Sequence, residues 1–285
     1  MKYIRIIPRL DIKGPNLVKG IHLEGLRVLG KPEDFAKLYY EQGADELIYQ
    51  DTVASLYQRN SLTDIITKTA KNIFIPITVG GGLRTLDDIN KVLRAGADKV
   101  AINTAAINNP EFITKASHAF GSSTIVIAIE TIKQSDNSYL AYTDNGREHT
   151  GVDAISWVKE AEKRGAGEIL MTSIDQEGTG NGFDLELIKK VSDLVTIPVI
   201  AHGGAANDTH IYEALNDSGA DAVAVASMLH YSALNKNGSL VSDYNTEGNT
   251  EFLKKKGSFK MFGKENISEI KDQLNKYDIP LRILN

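Results

Sequence analysis

Two acidic residues end apolar runs that are typical of buried strands. Asp11 follows the run 6–10 and Glu130 follows the run 125–129, which places them 119 residues apart. A facing pair of carboxyl groups can supply general acid and general base catalysis when their surroundings separate their pKa values. Acids at strand ends also cap loops or pair with lysines, which is the alternative. We expect Asp11 and Glu130 to be catalytic, because a repeat described below places them on opposite sides of one site.

One lysine and three further acids stand near other strand ends. Lys19 lies in the segment after the first strand, where a mobile cation could close over an anionic substrate. We expect it to assist catalysis, and a solvated surface lysine is the alternative. The three acids, which we expect beside the substrate, are Asp51, Asp175 and Glu177.

Glycine-rich strand ends indicate anion binding. The segments 79–82 and 101–104 end two strand candidates, and their later counterparts are 202–204 and 225–227. Glycines allow backbone N–H groups to approach a ligand closely, and α/β barrels often bind phosphate at this face. The duplicated glycine pair predicts two phosphate sites, one in each half of the chain. Tight turns without a ligand are the alternative.

Composition excludes several classes of site. The 285 residues contain no cysteine, which excludes disulfides, thiolate metal sites and cysteine nucleophiles. His202 and His230 are isolated, and no serine lies in a nucleophile-elbow motif. We therefore predict neither a metal nor a cofactor. The net charge of −5, with both signs scattered, argues against a large nucleic-acid-binding surface.

Hydropathy indicates no route into or across a membrane. No apolar run approaches the roughly 20 residues of a membrane-spanning helix. The apolar stretch at the start of the sequence is too short and too interrupted for a signal peptide. The expectation is a soluble, cytoplasmic protein.

Short apolar runs alternate with amphipathic stretches, which is the order expected of an α/β fold. The eight strand candidates are 4–10, 46–51, 74–79, 99–102, 124–129, 168–173, 198–201 and 222–226. Helix-start signals occur at Pro32, Thr85, Asp153, Asp184 and Asn266. Eight strands each followed by a helix predict a (β/α)8 TIM barrel, with a doubly wound sheet as the alternative.

Internal repeats support the barrel. The motif 43–48 recurs at 165–170 and Gly81-Gly82 recurs at 203–204, both with an offset of 122 residues; 96–98 recurs at 219–221 with an offset of 123. Nearly equal offsets predict two similar half-barrels, about 1–122 and 123–285, in a single domain covering 1–285.

Two segments interrupt the repeat. Segment 134–149 contains Asp144-Asn145-Gly146, which predicts a hairpin with a tight turn after the fifth strand. Segment 232–263 is polar and follows the eighth strand, so it reads as an insertion. It accounts for most of the roughly 35 residues by which the chain exceeds a typical barrel. Both segments are expected at the C-terminal face of the barrel, where barrel enzymes bind substrates.

The pattern as a whole resembles a known family. The motifs are Ile6-Ile7-Pro8 with Leu10-Asp11, Val18-Lys19-Gly20, 43–47, 78–82, 96–100 with Ile102-Asn103, and 164–170 with Thr172-Ser173-Ile174-Asp175. From residue 5 to about 230, and again in the last helix, the sequence is similar to HisF, the cyclase subunit of imidazole glycerol phosphate synthase.

The resemblance implies a partner and a set of roles. A separate HisH-like glutaminase would supply ammonia through the N-terminal end of the barrel. The resemblance implies that ammonia enters through a gate of four charged residues, Arg5, Glu46, Lys99 and Glu168. It also implies that Asp98 lies at the interface with the glutaminase. One phosphate would lie at Gly82, Asn103 and Thr104, and a second at Gly178, Gly204, Ala226 and Ser227. A plain salt-bridge ring is the alternative for the four gate residues.

The departures from the family pattern lie at the substrate face. Family aspartates fall on Glu130 and Glu177, a family serine on His202, which we expect near the substrate, and a frequent cysteine on Arg9. The loop 21–27 and the insertion 232–263 also differ from typical cyclases. None of these changes lies at the expected ammonia entrance, which suggests retained ammonia delivery with an altered acceptor.

Three functions follow as hypotheses. The first is an ammonia-dependent synthase that converts an acetamido group of a nucleotide-linked sugar to acetamidino during surface-polysaccharide synthesis, as a branch resembling this chain is thought to do. The second is the histidine-pathway cyclase, a lyase acting on a phosphorylated small molecule. The third is a non-catalytic barrel that activates a glutaminase.

Overall fold

Eight parallel strands close into a barrel in the computed structural model, which describes residues 3–54, 62–236, 262 and 265–283. The barrel strands are β1 Arg5–Lys13, β4 Leu47–Asp51, β5 Ile77–Gly80, β6 Lys99–Ile102, β7 Ile125–Lys133, β10 Glu168–Ser173, β11 Val199–His202 and β12 Ala222–Val225. Their order is β10-β11-β12-β1-β4-β5-β6-β7, and a β7–β10 pairing closes the circle. The predicted (β/α)8 barrel is confirmed.

Helices lie between the barrel strands. Within the described residues they are α1 Pro32–Glu41, α2 Thr63–Ala70, α3 Leu86–Ala95, α4 Thr104–Asn108, α5 Glu111–Phe120, α6 Ala154–Lys163, α7 Leu185–Ser192, α8 Asp208–Asn216, α9 Ser227–Lys236 and α10 Ile267–Asn275. The start signals act as expected: Thr85 and Asn266 form capping boxes with Asp88 and Glu269, and Pro32 is the first residue of α1. These caps satisfy backbone N–H groups that have no partner inside the helix.

Two hairpins extend the first strand of each half-barrel. β8 Tyr139–Thr143 and β9 Glu148–Asp153 pair antiparallel after β7, so the predicted hairpin is present. β2 Asn16–Ile21 and β3 Glu24–Gly30 pair antiparallel after β1, where the sequence predicted only a loop. The polar residues of this segment hide its strand pattern, because one of them, Lys19, is buried by ion pairs rather than by apolar contacts.

The first residues of the predicted insertion 232–263 are helical. Helix α9 continues through Lys236, so 232–236 belong to the helix that follows the eighth strand. The rest of the predicted insertion, apart from Phe262, lies outside the described residues. Phe262 stacks on Tyr231 of α9, with ring centroids 5.1 Å apart.

The core has two layers, one on each side of the sheet. The larger layer fills the space between the strands and the helices, and the smaller one consists of side chains that alternate with it along the strands. The smaller layer therefore fills the barrel interior, because successive side chains of a strand point to opposite faces. Its members are Ile7, Ile48, Ala101, Val126, Ala128, Leu170, Ile200, Ala222 and Ala224.

The recurring Gly-Ala-Asp motif has a local structural role. Asp45, Asp98 and Asp221 each follow such a turn, and each carboxylate accepts a hydrogen bond from the first residues of the neighbouring strand. The donors are the backbone N–H groups of Ile6, Ile77 and Val199, at 2.9, 2.9 and 2.8 Å. The repeat thus ties each helix end to the adjacent strand start.

Candidate active site

The N-terminal end of the barrel holds a ring of alternating charges. Arg5 pairs with Glu46 at 2.9 Å and with Glu168 at 2.7 Å. Lys99 pairs with the same two carboxylates, at 3.0 Å and 2.9 Å. All four side chains start or directly precede barrel strands, so the structure brings the four expected gate residues together. The exposed Asp98 lies at the same end, where it also holds Ile77.

A column of interior side chains connects this ring to the opposite end. On β1, the alternate residues Arg5, Ile7, Arg9 and Asp11 point to the same face of the strand. This face runs from the ring through the apolar interior to the C-terminal end of the barrel, which we call the mouth. Ala101 and Ala128 belong to the interior layer and also line a cavity at the C-terminal end. The interior therefore leads from the charged ring to one side of the mouth.

That cavity has a volume of about 280 Å³. Among its lining residues are five that the sequence predicted, namely Asp51, Gly82, Asn103, Thr104 and Glu130. Gly81 has a φ of +103°, and a Cβ there would lie 2.4 Å from the carbonyl oxygen of Asp51. Glycine is therefore required for the backbone to turn so closely against the end of β4.

Glu130 is the acid of this cavity. It is 4% exposed, and its Oε2 accepts a hydrogen bond from Asn103 Nδ2 at 3.1 Å. Burial raises the pKa of Glu130 to about 7, although Arg9 and the N–H of Gly146 act against the increase. A carboxyl group with this pKa is present in both protonation states near neutral pH, which suits proton transfer in either direction.

The β8–β9 hairpin closes one side of the cavity. Asp144, Asn145 and Gly146 all have positive φ, at 52°, 60° and 78°, so the predicted tight turn is confirmed. Asn145 lines the cavity, and its Oδ1 is buried without a hydrogen-bond partner among the described residues. Asn103 Oδ1 is likewise buried without a hydrogen-bond partner among the described residues. Two polar atoms are thus available to a bound molecule, since buried polar atoms normally have partners.

The other side of the mouth is occupied by a buried charge cluster, which we define as Arg9, Asp11, Lys19, Glu177 and His202. Arg9 Nε donates to Asp11 Oδ1 at 2.9 Å, and Lys19 Nζ donates to Asp11 Oδ2 at 3.0 Å. Lys19 Nζ also donates to Glu177, whose other oxygen accepts from the N–H of Leu23. Both carboxylate oxygens of Asp11 are therefore engaged by cations.

The charges in this cluster determine how its members titrate. Burial alone would raise the pKa of Asp11, but Arg9 and Lys19 hold it well below its ordinary value. Burial lowers the pKa of His202 far below its ordinary value, and the charge of Arg9 adds to this. His202 is therefore neutral, and its Nδ1 accepts from Arg9 Nη1 at 3.1 Å, because a guanidinium can only donate.

The expected second phosphate position lies beside this cluster and has little room. Its cavity measures about 10 Å³ and is lined by Glu177, Gly178, His202, Gly204, Ala226 and Ser227, among others. A volume of that size holds about one water molecule. The structure thus brings the predicted residues together without the space that a phosphate needs.

Comparisons with known proteins agree with this geometry. The model of a family described as "Histidine biosynthesis protein" matches residues 5–235. A Legionella pneumophila protein named imidazole glycerol phosphate synthase subunit HisF is 62% identical over 204 residues, which is 72% of this chain and 96% of that protein. A protein of the same name from Trichormus variabilis is 48% identical over 233 residues, which is 81% of this chain and 91% of that protein. One from Streptococcus mutans is 47% identical over 227 residues, which is 80% of this chain and 90% of that protein.

The chain belongs to the HisF family. It is accordingly an enzyme subunit of the HisF type, and the expectation of a non-catalytic barrel is set aside. The comparisons give no support to the acetamidino-forming branch, because each of these relatives is named as a subunit of imidazole glycerol phosphate synthase.

Two residues of this HisF-family chain have surroundings that the sequence did not predict. Lys19 is 1% exposed and is held between two carboxylates, so it is not a mobile cation at the mouth; the hairpin β2–β3 buries it. Asp175 is exposed, accepts from the N–H of Lys133 at 2.8 Å, and lies outside the described lining of both cavities.

Sequence reasoning missed several residues that line the open cavity, among them Gln50, Arg84 and Asn145. The sequence identified Asn145 only as a turn residue, and the only signal for Gln50 was its position directly before Asp51. Arg84 is exposed at the cavity and donates to the carbonyl oxygen of Ala54 at 3.1 Å. The signal that could have identified Arg84 was its position two residues after the glycine pair, where a cation can face a bound anion.

Two kinds of feature are absent from the described residues. They contain no group of three or more histidines and acids arranged to hold a metal ion. No helix among them is long and apolar enough to cross a membrane.

Proposed function

We propose that this protein is the ammonia-using subunit of a glutamine amidotransferase, acting as the cyclase of an imidazole glycerol phosphate synthase. A HisH-like glutaminase would dock at the ring of Arg5, Glu46, Lys99 and Glu168. Ammonia would travel through the barrel interior and react at the cavity beside Glu130 with a phosphorylated acceptor.

The observation that carries this proposal is the continuity between the two ends of the barrel. The interior layer that begins above the ring also supplies Ala101 and Ala128 to the cavity. An apolar passage admits neutral ammonia but not ammonium, because an isolated charge cannot be moved into such surroundings without a large cost. A reaction that must keep ammonia away from bulk water is served by this arrangement.

The cavity supports the second half of the reaction. Attack by the ammonia nitrogen on a carbonyl-type carbon forms a C–N bond, and the acceptor oxygen leaves as water after protons move from nitrogen to oxygen. Glu130 lies at the cavity with a pKa suited to that transfer. The names of the relatives favour an acceptor that yields imidazole glycerol phosphate over an acetamido sugar.

Turnover with ammonium chloride in place of the glutaminase tests the proposal directly. The purified chain is incubated with the precursor of imidazole glycerol phosphate and, separately, with acetamido nucleotide sugars with and without ATP. We expect product from the first acceptor by mass spectrometry. Product from the sugars alone would reassign the acceptor, and product from neither would overturn the proposal.

A charge variant ties turnover to the cavity. Thr104→Asp places a carboxylate in the cavity and should raise the KM for a phosphorylated acceptor by about 10-fold or more through like-charge repulsion. The matched control is Thr209→Asp, at an exposed position in the first turn of α8. The control should leave the KM unchanged, and equal effects of the two variants would move the acceptor away from this cavity.

A further inference from the structure

Asn145 is not the residue that its backbone conformation favours. It is the middle one of three successive residues with positive φ, at 60°, where glycine is free of strain and asparagine is only tolerated. Its side chain is 8% exposed, its Oδ1 has no hydrogen-bond partner among the described residues, and its Nδ2 reaches the carbonyl oxygen of Leu23 only at 3.4 Å. Ordinary N–H···O bonds measure about 2.7–3.2 Å. Glycine would adopt this turn without burying an unpaired amide oxygen, so the fold alone does not account for the asparagine.

The turn that carries Asn145 is fixed against the wall of the open cavity. The N–H of Asp144 donates to Thr104 Oγ1 at 3.2 Å, and the carbonyl oxygen of Tyr142 accepts from Asn103 Nδ2 at 3.0 Å. Asn145 itself lines this cavity of about 280 Å³. Residues that break a local structural rule are expected at functional sites. An unpaired amide in this position therefore indicates a contact with the acceptor.

Asn103 adds a second oxygen of the same kind. Its Nδ2 donates to Glu130 Oε2 at 3.1 Å and to the carbonyl oxygen of Tyr142 at 3.0 Å, so the amide cannot turn over without losing both bonds. Its Oδ1 is buried and lacks a partner among the described residues. An amide oxygen can only accept hydrogen bonds. The cavity therefore offers two acceptor atoms, from Asn103 and Asn145, to a ligand that supplies the donors.

We propose that Asn145 is a specificity-determining residue whose Oδ1, together with Asn103 Oδ1, accepts hydrogen bonds from hydroxyl groups on the carbon chain of a phosphorylated acceptor. This inference rests on the proposed function, because it concerns how that acceptor is selected. Hydroxyl groups suit these atoms, because a hydroxyl can rotate its hydrogen toward either oxygen. A molecule of the same shape without hydroxyl groups would leave both oxygens unpaired, and a polar site rejects an apolar analogue in this way.

Asn145→Gly separates a role in binding from a role in folding. With the acceptor that the wild-type chain turns over, we expect the KM to rise by about 10-fold and kcat to change by less than about 3-fold, because the lost hydrogen bond weakens binding. The melting temperature should stay at the wild-type value or rise, since glycine suits the positive φ and removes the unpaired oxygen. A lower melting temperature with an unchanged KM would overturn the inference, because Asn145 would then be structural.

Asn137→Gly is the matched control for the effect of glycine itself. Asn137 is also an asparagine with positive φ, at 66°, but it is exposed in the turn between β7 and β8. This variant should leave the KM unchanged. An equal rise in KM for both variants would contradict the inference, because the effect would then come from the flexibility of the hairpin rather than from a contact in the cavity.

A pair of phosphate esters tests the inference without turnover. Glycerol 3-phosphate and n-propyl phosphate share a phosphate and a three-carbon chain, and only the first carries hydroxyl groups. In calorimetry, the wild-type chain should bind glycerol 3-phosphate at least about 10-fold more tightly than n-propyl phosphate, and Asn145→Gly should lose most of this preference. Equal affinities in the wild type, a preference that Asn145→Gly retains, or no binding of glycerol 3-phosphate would each overturn the inference.

The inference and the proposed function fail in different ways. No turnover with any acceptor, together with a preference for glycerol 3-phosphate that depends on Asn145, would count against the proposed function and support the inference. Turnover with a KM that Asn145→Gly leaves unchanged would do the reverse.

Discussion

The two sides of the barrel mouth share a backbone plan but are filled differently. The glycine pair 81–82 and its repeat 203–204 all have positive φ, at 103°, 71°, 104° and 104°. The cavity on the first side measures about 280 Å³ and the one on the second about 10 Å³. The backbone turn that prepares an anion site is therefore present twice, while of these two described cavities only the first has space for a ligand.

Side chains at equivalent repeat positions account for the difference. With Asp11 aligned to Glu130, Arg9 corresponds to Ala128; with the glycine pairs aligned, His202 corresponds to Gly80. Arg9 and His202 contact each other and fill the second side, whereas Ala128 lines the open cavity. The comparison teaches that duplication supplies the scaffold, and that a few large side chains decide which copy of a site remains usable.

Breaking the buried cluster should give the largest effect. Lys19→Met removes the cation shared by Asp11 and Glu177 and should lower the free energy of unfolding by about 3–5 kcal/mol, measured by urea denaturation. Lys133→Met is the matched control, since its 2.6 Å pair with Glu186 is solvent-exposed and should be worth about 1 kcal/mol or less. Equal losses would mean that the closed side is not held by its charges.

A pH dependence should follow from the open side. The pKa of Glu130 is raised from 4.5 to about 7 in the folded protein, so the folded state binds a proton that the unfolded state has lost. This stabilisation is complete below the lower value and disappears as the pH rises through the higher one, amounting to about 3 kcal/mol. Urea titrations of wild type and Glu130→Gln at about pH 5 and pH 8 should show the decline in wild type only.

Opening the closed side should restore a second anion position. His202→Ser introduces a smaller side chain and leaves Arg9 Nη1 with only its 3.5 Å contact to Thr172 Oγ1 among the described residues, where Arg9 Nη2 already has no hydrogen-bond partner. Inorganic phosphate, followed by calorimetry, should bind once per chain in wild type and twice in His202→Ser, at a stability cost of about 2 kcal/mol. The exposed His118→Ser serves as control, and a second phosphate on wild type would contradict the difference between the two sides.

The smallest effect concerns the turn that covers the open cavity. Gly146→Ala forces a side chain onto a residue with φ +78°, and the Cβ would lie 3.0 Å from Ile174 Cδ1. Gly151→Ala adds the same kind of strain at φ +72° with no atom within 4 Å. Both should cost about 1 kcal/mol in stability from strain. Only Gly146→Ala should also lower ammonium-dependent kcat, because Gly146 donates to Glu130.

The scaffold was readable from the sequence because its signals are local. The eight apolar runs, the caps at Thr85 and Asn266 and the turn at 144–146 each specify structure through neighbours in the chain. Among the described residues, one strand pair was missed. Strands β2 and β3 carry Lys19, Glu24 and Arg27, and these charges hide the strand pattern, because the buried Lys19 is paired with an acid 158 residues away.

The difference between the two sides of the mouth could not be predicted from the sequence, because it depends on contacts between residues that are far apart in the chain. The departures at Arg9, Glu177 and His202 were visible in the sequence as single changes near the substrate face. Their mutual contacts come from three different strands and loops, and the closure of a cavity depends on how those side chains meet. Pattern and spacing place residues on a face, but they do not say which charges neutralise one another there.

Each side of the mouth is assembled from both halves of the barrel, and this limits how such a protein can be recombined. The open cavity combines Asn103 from the first half with Ala128 and Glu130 from the second, and Arg9 of the first half fills the side that carries His202. A chimera that exchanges one half with a relative would inherit half of each side rather than one intact site. Whether each side of the mouth is open or closed in the chimera would depend on the contacts between the two halves, where Arg9 or Ala128 meets the other parent's residues.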